Sequence, residues 1–122
     1  MSILLVEDNE LNTEIAQTLL EHDGALVTTA ANGKEALELF QASAFDAILM
    51  DVMMPEMNGY EATRAIRLCD KPDADEVPII AMTANAFIED IARAKESGMN
   101  DHLSKPIEIE KLKETLAKYR VR

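Results

Sequence analysis

Short apolar runs alternate with helix-like segments along the whole chain, and this order limits the fold more than any other feature of the sequence. The runs lie at 3–6, 26–29, 47–50 and 79–82, with a weaker one at 101–104. Most are short and unbroken, as strands buried on both faces should be. Between them, apolar residues recur every three or four positions, as on one face of a helix. The sequence therefore predicts five β-α units.

The predicted helices are defined by apolar residues that share one face. These residues are Leu11, Ile15, Leu19 and Leu20, then Ala36, Leu37 and Phe40, then Ala62, Ala65 and Ile66, then Ile88, Ile91 and Ala92, then Ile109, Leu112, Leu116 and Tyr119. Strands that alternate with helices pair in parallel through right-handed crossovers, so helices cover both faces of the sheet. We predict an α/β fold, a flavodoxin-like (βα)5 three-layer sandwich whose five-stranded parallel sheet has the order 2-1-3-4-5.

The length and composition of the chain fit one globular domain over residues 1–122. A chain of 122 residues buries roughly two thirds of its unfolded surface, which is enough for a real core. The sequence contains neither an apolar stretch of about 18 residues nor a basic leader with an apolar centre. We therefore expect no membrane span, no secretory signal and a cytoplasmic location.

The charge of the chain limits its partners. There are 23 acidic and 12 basic residues, for a net charge of −11, which repels nucleic acid and anionic membranes. We expect neither as a direct partner. The one cysteine, Cys69, has no second thiol to pair with and lies beside a loop-like run, so we interpret it as incidental rather than redox-active.

Polar residues follow the predicted strands, where a parallel sheet gathers them on one edge. Glu7 and Asp8 come after the first strand, Asp51 after the third, Thr83 after the fourth and Lys105 after the fifth. In the predicted order the first and third strands are neighbours at the topological switch point, where a ligand crevice is expected. Two carboxylates ~4 Å apart at an effective dielectric of ~20 repel by about 4 kcal/mol, so such a cluster indicates a cation or a reaction.

Two kinds of chemistry suit these residues. Mg²⁺ takes oxygen ligands and commonly binds one or two carboxylates together with a substrate phosphate, which suits Asp8 and Asp51 as direct ligands, Glu7 through water, and Mn²⁺ as an alternative ion. A carboxylate can also be a nucleophile and form an aspartyl phosphate. With Asp51 as acceptor, the Lys105 ammonium and the Thr83 hydroxyl would neutralise charge on the phosphoryl oxygens.

Four segments of the chain resemble the signature segments of response-regulator receiver domains of two-component signalling. They are ILLVEDN at 3–9, AILMDVMMPEMNG at 47–59, IAMTA at 80–84 and LSKPI at 103–107. The similarity spans nearly the whole chain, and all four motifs stand in the family's order. The run GMNDHLSKPI at 98–107 is similar in particular to the receivers of hybrid sensor histidine kinases.

The resemblance implies an acceptor and a metal site. Asp51 would accept a phosphoryl group from a phosphohistidine on a histidine kinase or a histidine phosphotransfer protein. Asp8, Asp51 and the backbone carbonyl of Met53 would ligate Mg²⁺, and Glu7 would assist through water. Such a domain catalyses its own phosphorylation and slow dephosphorylation, and it is not a turnover enzyme.

The resemblance also implies how the phosphoryl group is held and sensed. Lys105 would bind the phosphoryl group, Thr83 would bond to it and shift inward, and the Lys105–Pro106 peptide bond would be cis. The output would then pass through the loop at Thr83, the fourth helix, the fifth strand and the fifth helix. We expect that face to bind an output partner or a second copy of the chain.

Two positions depart from the family's commonest pattern. His102 stands where many relatives carry Tyr or Phe, three residues before the lysine, so a smaller titratable ring would replace the aromatic switch that couples to Thr83. Met53 and Asn85 flank the expected path of the attacking water. Because an apolar Met53 positions water poorly, we hypothesise that partners set the phosphoryl lifetime.

Other interpretations of the same residues stay open. Glu7 and Asp8 could be acids favoured by a helix dipole, Asn9 a helix cap, and Thr83 a capping hydroxyl. As whole functions, the alternatives are a Mg²⁺-dependent phosphohydrolase with an aspartyl nucleophile and a pseudo-receiver that binds partners without being phosphorylated. The hydrolase usually has a second acid two residues after the nucleophile, where this chain has Met53.

Overall fold

The protein is a five-stranded parallel sheet covered by helices on both faces. A computed structural model describes residues 2–52, 57–74, 76–83, 88–105 and 107–119, with the backbone alone for 88–91. Within these residues the strands are β1 (Ser2–Val6), β2 (Leu26–Ala30), β3 (Ala47–Asp51), β4 (Ile79–Thr83) and β5 (Asp101–Ser104), and the helices are α1 (Glu10–His22), α2 (Gly33–Ala42), α3 (Gly59–Leu68), α4 (Ile88–Ser97) and α5 (Ile109–Tyr119). The sheet order is β2-β1-β3-β4-β5, so the predicted flavodoxin-like α/β fold is confirmed.

The strands match the predicted runs, with small differences at their ends. β5 has the predicted bounds, and each of the other four strands is one residue longer than predicted. Asp51 pairs in register with Met82, and Thr83 pairs with Ser104. Both polar residues therefore end their strands rather than follow them, because the parallel ladder continues to the edge of the sheet.

Two apolar clusters fill the space between the sheet and its helices. One cluster joins the sheet to α2, α3 and α4, and includes Phe40, Tyr60 and Ile66. The other joins the opposite face of the sheet to α1 and α5, and includes Leu20 and Leu116. β3 and β4 are buried along their whole length, as expected for central strands of a parallel sheet. Among the described helices, none is long and apolar enough to cross a membrane.

Helix α1 packs on the sheet through a different stripe from the predicted one. Ala16 and Leu20 are buried, whereas Leu11 and Ile15 are 65% and 51% exposed. The small side chain of Ala16 lets the helix lie close to the sheet, which turns the Leu11–Ile15 side outward. The prediction that these two residues lie on the buried face is therefore wrong.

Asparagine side chains fix the starts of three helices. The side-chain oxygens of Asn9, Asn32 and Asn58 accept hydrogen bonds from backbone N–H groups in the first turns of α1, α2 and α3. Asn9 is thus a helix cap, as one of the open interpretations of the sequence has it. At the start of α3, the Glu61 side chain also accepts from the backbone N–H of Asn58, which completes a capping box.

One guanidinium group bridges several loops at the amino edge of the sheet. Within the described residues, Arg67, near the end of α3, donates hydrogen bonds of 2.7–3.0 Å to oxygens that include the following four. These acceptors are the carbonyls of Ala74, Val77 and Gly98 and the side chain of Asn100. Arg67 therefore ties α3 to the loops that precede β4 and β5.

Candidate functional site at the carboxyl edge of the sheet

The fold brings the predicted site residues from four strand ends to one edge. Val6, the last residue of β1, pairs with Met50 of β3, so Glu7 follows a strand that lies directly beside the one ending in Asp51. On the other side, the backbone N–H of Lys105 donates to the Thr83 carbonyl at 2.8 Å, which continues the β4–β5 ladder beyond β5. The predicted convergence of these strand ends is therefore present.

Three carboxylates form the acidic centre of this edge. One side-chain oxygen from each of Glu7, Asp8 and Asp51 lies within 4.8 Å of the other two. Glu7 and Asp51 are buried, with 4% and 2% of their surface exposed, whereas Asp8 is exposed. Buried carboxylates this close together repel one another unless a cation lies among them.

Lys105 supplies a positive charge to this cluster. Its Nζ lies 2.8 Å from Oε2 of Glu7 and 3.1 Å from Oδ1 of Asp51, so it bridges the two buried acids. Oε1 of Glu7 in turn accepts a hydrogen bond from the backbone N–H of Asn9 at 3.2 Å. One ammonium offsets part of the charge of three carboxylates, and the site still favours a further cation.

The ion pair shifts the protonation equilibria of Glu7 and Lys105. Burial by itself raises the pKa of Glu7, but hydrogen bonds from Lys105, with Asp51 and from the Asn9 backbone outweigh it, so the pKa lies below the ordinary value of 4.5. Burial by itself lowers the pKa of Lys105, but its contacts with Glu7 and Asp51 outweigh this, and the pKa lies above 10.5. Both groups are therefore charged at neutral pH.

The donor set fits a hard divalent cation such as Mg²⁺. Its oxygens come from carboxylates, which Mg²⁺ prefers, and the exposed Asp8 leaves one side accessible to water. Both oxygens of Glu7 already have partners, Lys105 and the Asn9 backbone, which suits a contact with the ion through water. The predicted carbonyl ligand of Met53 lies outside the described residues, as do Asn85 and the Lys105–Pro106 peptide bond.

The two predicted switch residues lie on adjacent strands. Thr83 is 7% exposed at the end of β4, and its backbone pairs with Ser104 of β5. His102 lies two residues before Ser104, with 36% of its side chain exposed, and its Nδ1 is 3.9 Å from Oδ1 of Asp101. It also lines a pocket beside Lys95 of α4. His102 therefore lies on the predicted output face, and its switching role stays a prediction.

A small apolar pocket opens beside the acidic centre. It has a volume of about 80 Å³ and lies between α1 and the connection from β5 to α5. Its lining residues are Leu5, Glu7, Asn12, Ile15, Ala16, Met82, Lys105 and Ile107. The exposed side of α1 thus continues directly into the site.

Gly59 contacts the main chain of Asp51, and the sequence interpretation missed this contact. A Cβ atom on Gly59 would overlap the Asp51 carbonyl oxygen and lie 2.7 Å from Cα of Val52. The Gly59 N–H donates to the Val52 carbonyl at 3.2 Å. The start of α3 therefore lies directly against the main chain of the predicted acceptor. The signal available in the sequence was a glycine near the start of a predicted helix.

Comparison with known proteins identifies the class to which this fold and site belong. The family model described as the response regulator receiver domain matches residues 3–117. The chain therefore belongs to the response regulator receiver domain family, and the resemblance seen in its four motifs is confirmed.

One curated relative of the chain is a hybrid histidine kinase. This chain is 46% identical over 114 residues to hybrid signal transduction histidine kinase B of Dictyostelium discoideum. That match covers 86% of this chain but 6% of the kinase. The chain thus corresponds to a small part of that relative, in agreement with the similarity of its 98–107 segment to receivers of hybrid sensor kinases.

Two solved structures have the same fold, one with a bound metal ion and one in a complex with a partner protein. The receiver domain of sensor histidine kinase PA1611 from Pseudomonas aeruginosa PAO1, with a magnesium ion coordinated in its active-site cleft, is 41% identical with a TM-score of 0.88, covering 97% of this chain and 95% of that one. The receiver domain of Ssk1 from Saccharomyces cerevisiae, crystallised with the histidine phosphotransfer protein Ypd1, is 29% identical with a TM-score of 0.86, covering 98% and 88%. This chain is a receiver domain of the two-component and phosphorelay class.

Proposed function

We propose that Asp51 is the phosphoacceptor of this receiver domain and takes its phosphoryl group from a phosphohistidine in the presence of Mg²⁺. The observation that carries the proposal is the arrangement around Asp51: a buried carboxylate with an ammonium nitrogen at 3.1 Å and two further acids within 4.8 Å. No other described residues form a comparable cluster of acids. The proposed domain is the single unit of residues 1–122, of which the family model matches 3–117.

In the proposed transfer, a carboxylate oxygen of Asp51 attacks the phosphorus atom of the phosphohistidine. The P–N bond breaks as the new P–O bond forms, and the released imidazole nitrogen takes up a proton from solvent. A divalent cation held by the acidic centre would supply positive charge to the phosphoryl oxygens. The protein supplies position and charge, which is the main source of catalysis in phosphoryl transfer.

Each residue of the site has a proposed part. Lys105, already beside Asp51, would place its ammonium on a phosphoryl oxygen, and Glu7 would help to hold the cation through water. Asp8 and Asp51, with the backbone carbonyl of Met53, would hold that cation. Thr83 would donate its hydroxyl to the phosphoryl group. These roles follow from charge and placement at the sheet edge, together with the PA1611 receiver's bound magnesium.

The exposed side of α1 is the proposed approach for a protein donor. Leu11 and Ile15 lie one turn apart and are 65% and 51% exposed. Ile15 also lines the pocket that contains Lys105 and Ile107. An exposed apolar surface at the mouth of a polar site suits transient contact with a protein. The complex of Ypd1 with the related Ssk1 receiver supports a histidine phosphotransfer protein, or a histidine kinase, as this donor.

The donor surface can be tested separately from the chemistry. Leu11→Ser and Ile15→Ser should keep the rate of phosphorylation by phosphoramidate, a small donor, but slow transfer from a phosphorylated histidine phosphotransfer protein by about tenfold or more. The matched control is Leu68→Ser, because Leu68 is 85% exposed at the far end of α3. Equal slowing by Leu68→Ser would contradict the assignment.

The proposed output passes through the face formed by α4, β5 and α5. An aspartyl phosphate carries about two negative charges in place of the single charge of the Asp51 carboxylate, and this can bias the face only if its contacts differ between the two states. The proposed consequence is altered binding of an output partner or of a second copy of the chain, with His102 as a residue that responds. A face whose amide exchange does not change on phosphorylation would contradict this.

A direct experiment distinguishes the proposal from its alternatives. The chain is incubated with Mg²⁺ and phosphoramidate, and its intact mass and the released phosphate are measured. A stable adduct of one phosphoryl group, absent in Asp51→Asn and after chelation of the metal, supports the phosphoacceptor. Continuous phosphate release would favour a phosphohydrolase, and the lack of any adduct would favour a pseudo-receiver. The chain's lack of an acid at position 53 argues against the hydrolase.

A further inference from the structure

We infer that Gly33, in the first turn of α2, is a positioning residue for the phosphoacceptor and metal site, because it leaves room for the Met57 side chain that anchors the end of the β3–α3 connection. This inference rests on the proposed function. It concerns a residue outside the acidic centre.

The contact begins on α2. A Cβ atom at Gly33 would lie 2.9 Å from both Cγ and Sδ of Met57 and 2.9 Å from Cβ of Ala62. Met57 is partly buried and packs against the apolar cluster on this face of the sheet. The space that a side chain at position 33 would occupy is therefore taken by Met57 and by Ala62 of α3.

Backbone conformation does not explain a glycine at this position. Among the described glycines, Gly24 and Gly98 have positive φ angles, and Gly33 does not. The close approach of Met57 and Ala62 is the reason that remains.

The contact continues from Met57 to Asp51. Met57 is followed by Asn58, the cap of α3, and by Gly59, which lies against the carbonyl of Asp51 and hydrogen-bonds to Val52. The main chain between Met57 and Gly59 is thus held at one end by α2 and at the other by the end of β3. A displacement of Met57 would move the start of α3 against the main chain of Asp51.

The two groups around Gly33 would respond differently to an added methyl group. The Met57 side chain is flexible and can swing away, which limits the loss of stability, whereas the Ala62 Cβ is fixed to α3. Gly33→Ala should therefore lower the melting temperature through the fixed contact with Ala62, and it should also displace the anchor through Met57. Because a displacement of about 1 Å can cost up to ~100-fold in a positioned reaction, the effect should appear in the site.

The test measures Mg²⁺ affinity by titration of backbone amide resonances, with melting temperature and the phosphoramidate reaction rate in parallel. Gly33→Ala and Met57→Ala should each weaken Mg²⁺ binding by about tenfold, and the double variant should be no weaker than Met57→Ala alone, since both remove one anchor. The control is Gly24→Ala, where φ is +89° and no atom lies within 4 Å. It should lower the melting temperature and leave Mg²⁺ affinity unchanged.

The outcomes separate this inference from the proposed function. Unchanged Mg²⁺ affinity in both Gly33→Ala and Met57→Ala would overturn the anchor. Additive losses in the double variant would also overturn it, because two independent effects would then be present. If the parent chain binds Mg²⁺ but never forms an aspartyl phosphate at Asp51, the proposed function fails while the affinity series still decides the role of Gly33.

Discussion

The two edges of the sheet each hold a basic side chain, and the two differ in what surrounds them. At the amino edge, Arg67 donates to three backbone carbonyls and to the side chain of Asn100. At the carboxyl edge, Lys105 contacts two buried carboxylates, Glu7 and Asp51. The acceptors named for Arg67 are neutral, whereas those of Lys105 are charged.

This difference separates a structural edge from a reactive one. A planar guanidinium with neutral acceptors fixes loops in one arrangement, because its fork of donors matches several oxygens at once. A lysine among carboxylates forms an arrangement that changes when the charge of the site changes, through metal, phosphate or protons. We therefore expect substitutions at the amino edge to change stability, and substitutions at the carboxyl edge to change chemistry as well.

The largest effect on stability is expected at Arg67. Arg67→Met leaves several loop carbonyls without their donor, and a loss of about 3 kcal/mol is expected because each unsatisfied buried group costs ~1–3 kcal/mol. Urea unfolding measures this loss. Arg64→Met on the exposed side of α3 is the control, expected within about 0.5 kcal/mol of the parent. At a temperature where both variants are folded, each should still be phosphorylated, and loss of phosphorylation in folded Arg67→Met would break the comparison.

Lys105→Met should have a smaller effect on stability and a larger one on chemistry. Two buried acids lose their shared cation, which should destabilise the metal-free protein by about 2 kcal/mol, less than an isolated buried pair because Glu7 can take up a proton. Phosphorylation by phosphoramidate should slow by about 100-fold, since an ammonium next to the acceptor is lost. The readouts are urea unfolding and intact mass. A variant that is phosphorylated at the parent's rate would remove Lys105 from the mechanism.

The pH dependence of stability sharpens the comparison further. The pKa of Glu7 is lowered, so its contribution is present above 4.5 and is lost as pH falls through its folded value. The pKa of Lys105 is raised, so its contribution is complete below 10.5 and is lost as pH rises through its folded value. The stability difference between the parent and Lys105→Met should therefore shrink as pH falls toward and below 4.5, because Glu7 of the variant, without Lys105, takes up a proton at a higher pH than Glu7 of the parent.

The amino edge provides the matched control for this titration. The acceptors named for Arg67 are carbonyl and amide oxygens, which do not titrate, so the part of the difference between the parent and Arg67→Met that these hydrogen bonds contribute should not follow the same curve. Urea unfolding from pH 7 to pH 3 measures both differences. If the two differences shrank in parallel, the acid sensitivity would belong to the whole fold and not to the Glu7–Lys105 pair.

Much of the fold and of the site follows from the sequence because both depend on local patterns. Short apolar runs define the buried strands, and a parallel sheet places whatever follows them on one edge, so Glu7, Asp51 and Lys105 could be brought together without coordinates. The side of a helix that faces the sheet was harder to predict. Ala16 rather than Ile15 faces the sheet, since close packing there favours a small side chain over a more apolar one.

Contacts that join distant segments could not be predicted from one sequence. Arg67 looks like any charged residue near a helix end, and the carbonyls that it contacts have no signal in the sequence. Gly33 looks like a helix boundary, although its contact with Met57 depends on how α2 lies against α3. The Lys105–Glu7 bridge was missed for a related reason, because the order of charges within a pocket depends on side-chain reach.

The smallest expected effect concerns the balance of charge at the carboxyl edge. Asp51→Asn removes one of three clustered acids but also one partner of Lys105, which keeps Glu7 at 2.8 Å. Because repulsion among the acids exceeds what one ammonium offsets, the metal-free variant should be more stable than the parent, by on the order of 1 kcal/mol. Saturating Mg²⁺ should stabilise the parent by mass action and stabilise the variant less. The difference in melting temperature between the two proteins should therefore become smaller or change sign. Thermal unfolding with and without Mg²⁺ measures both. Equal melting temperatures of the two proteins without metal would mean that Lys105 already balances the charge of the acids. The carboxyl edge would then store no net repulsion and would not differ in this respect from the amino edge at Arg67.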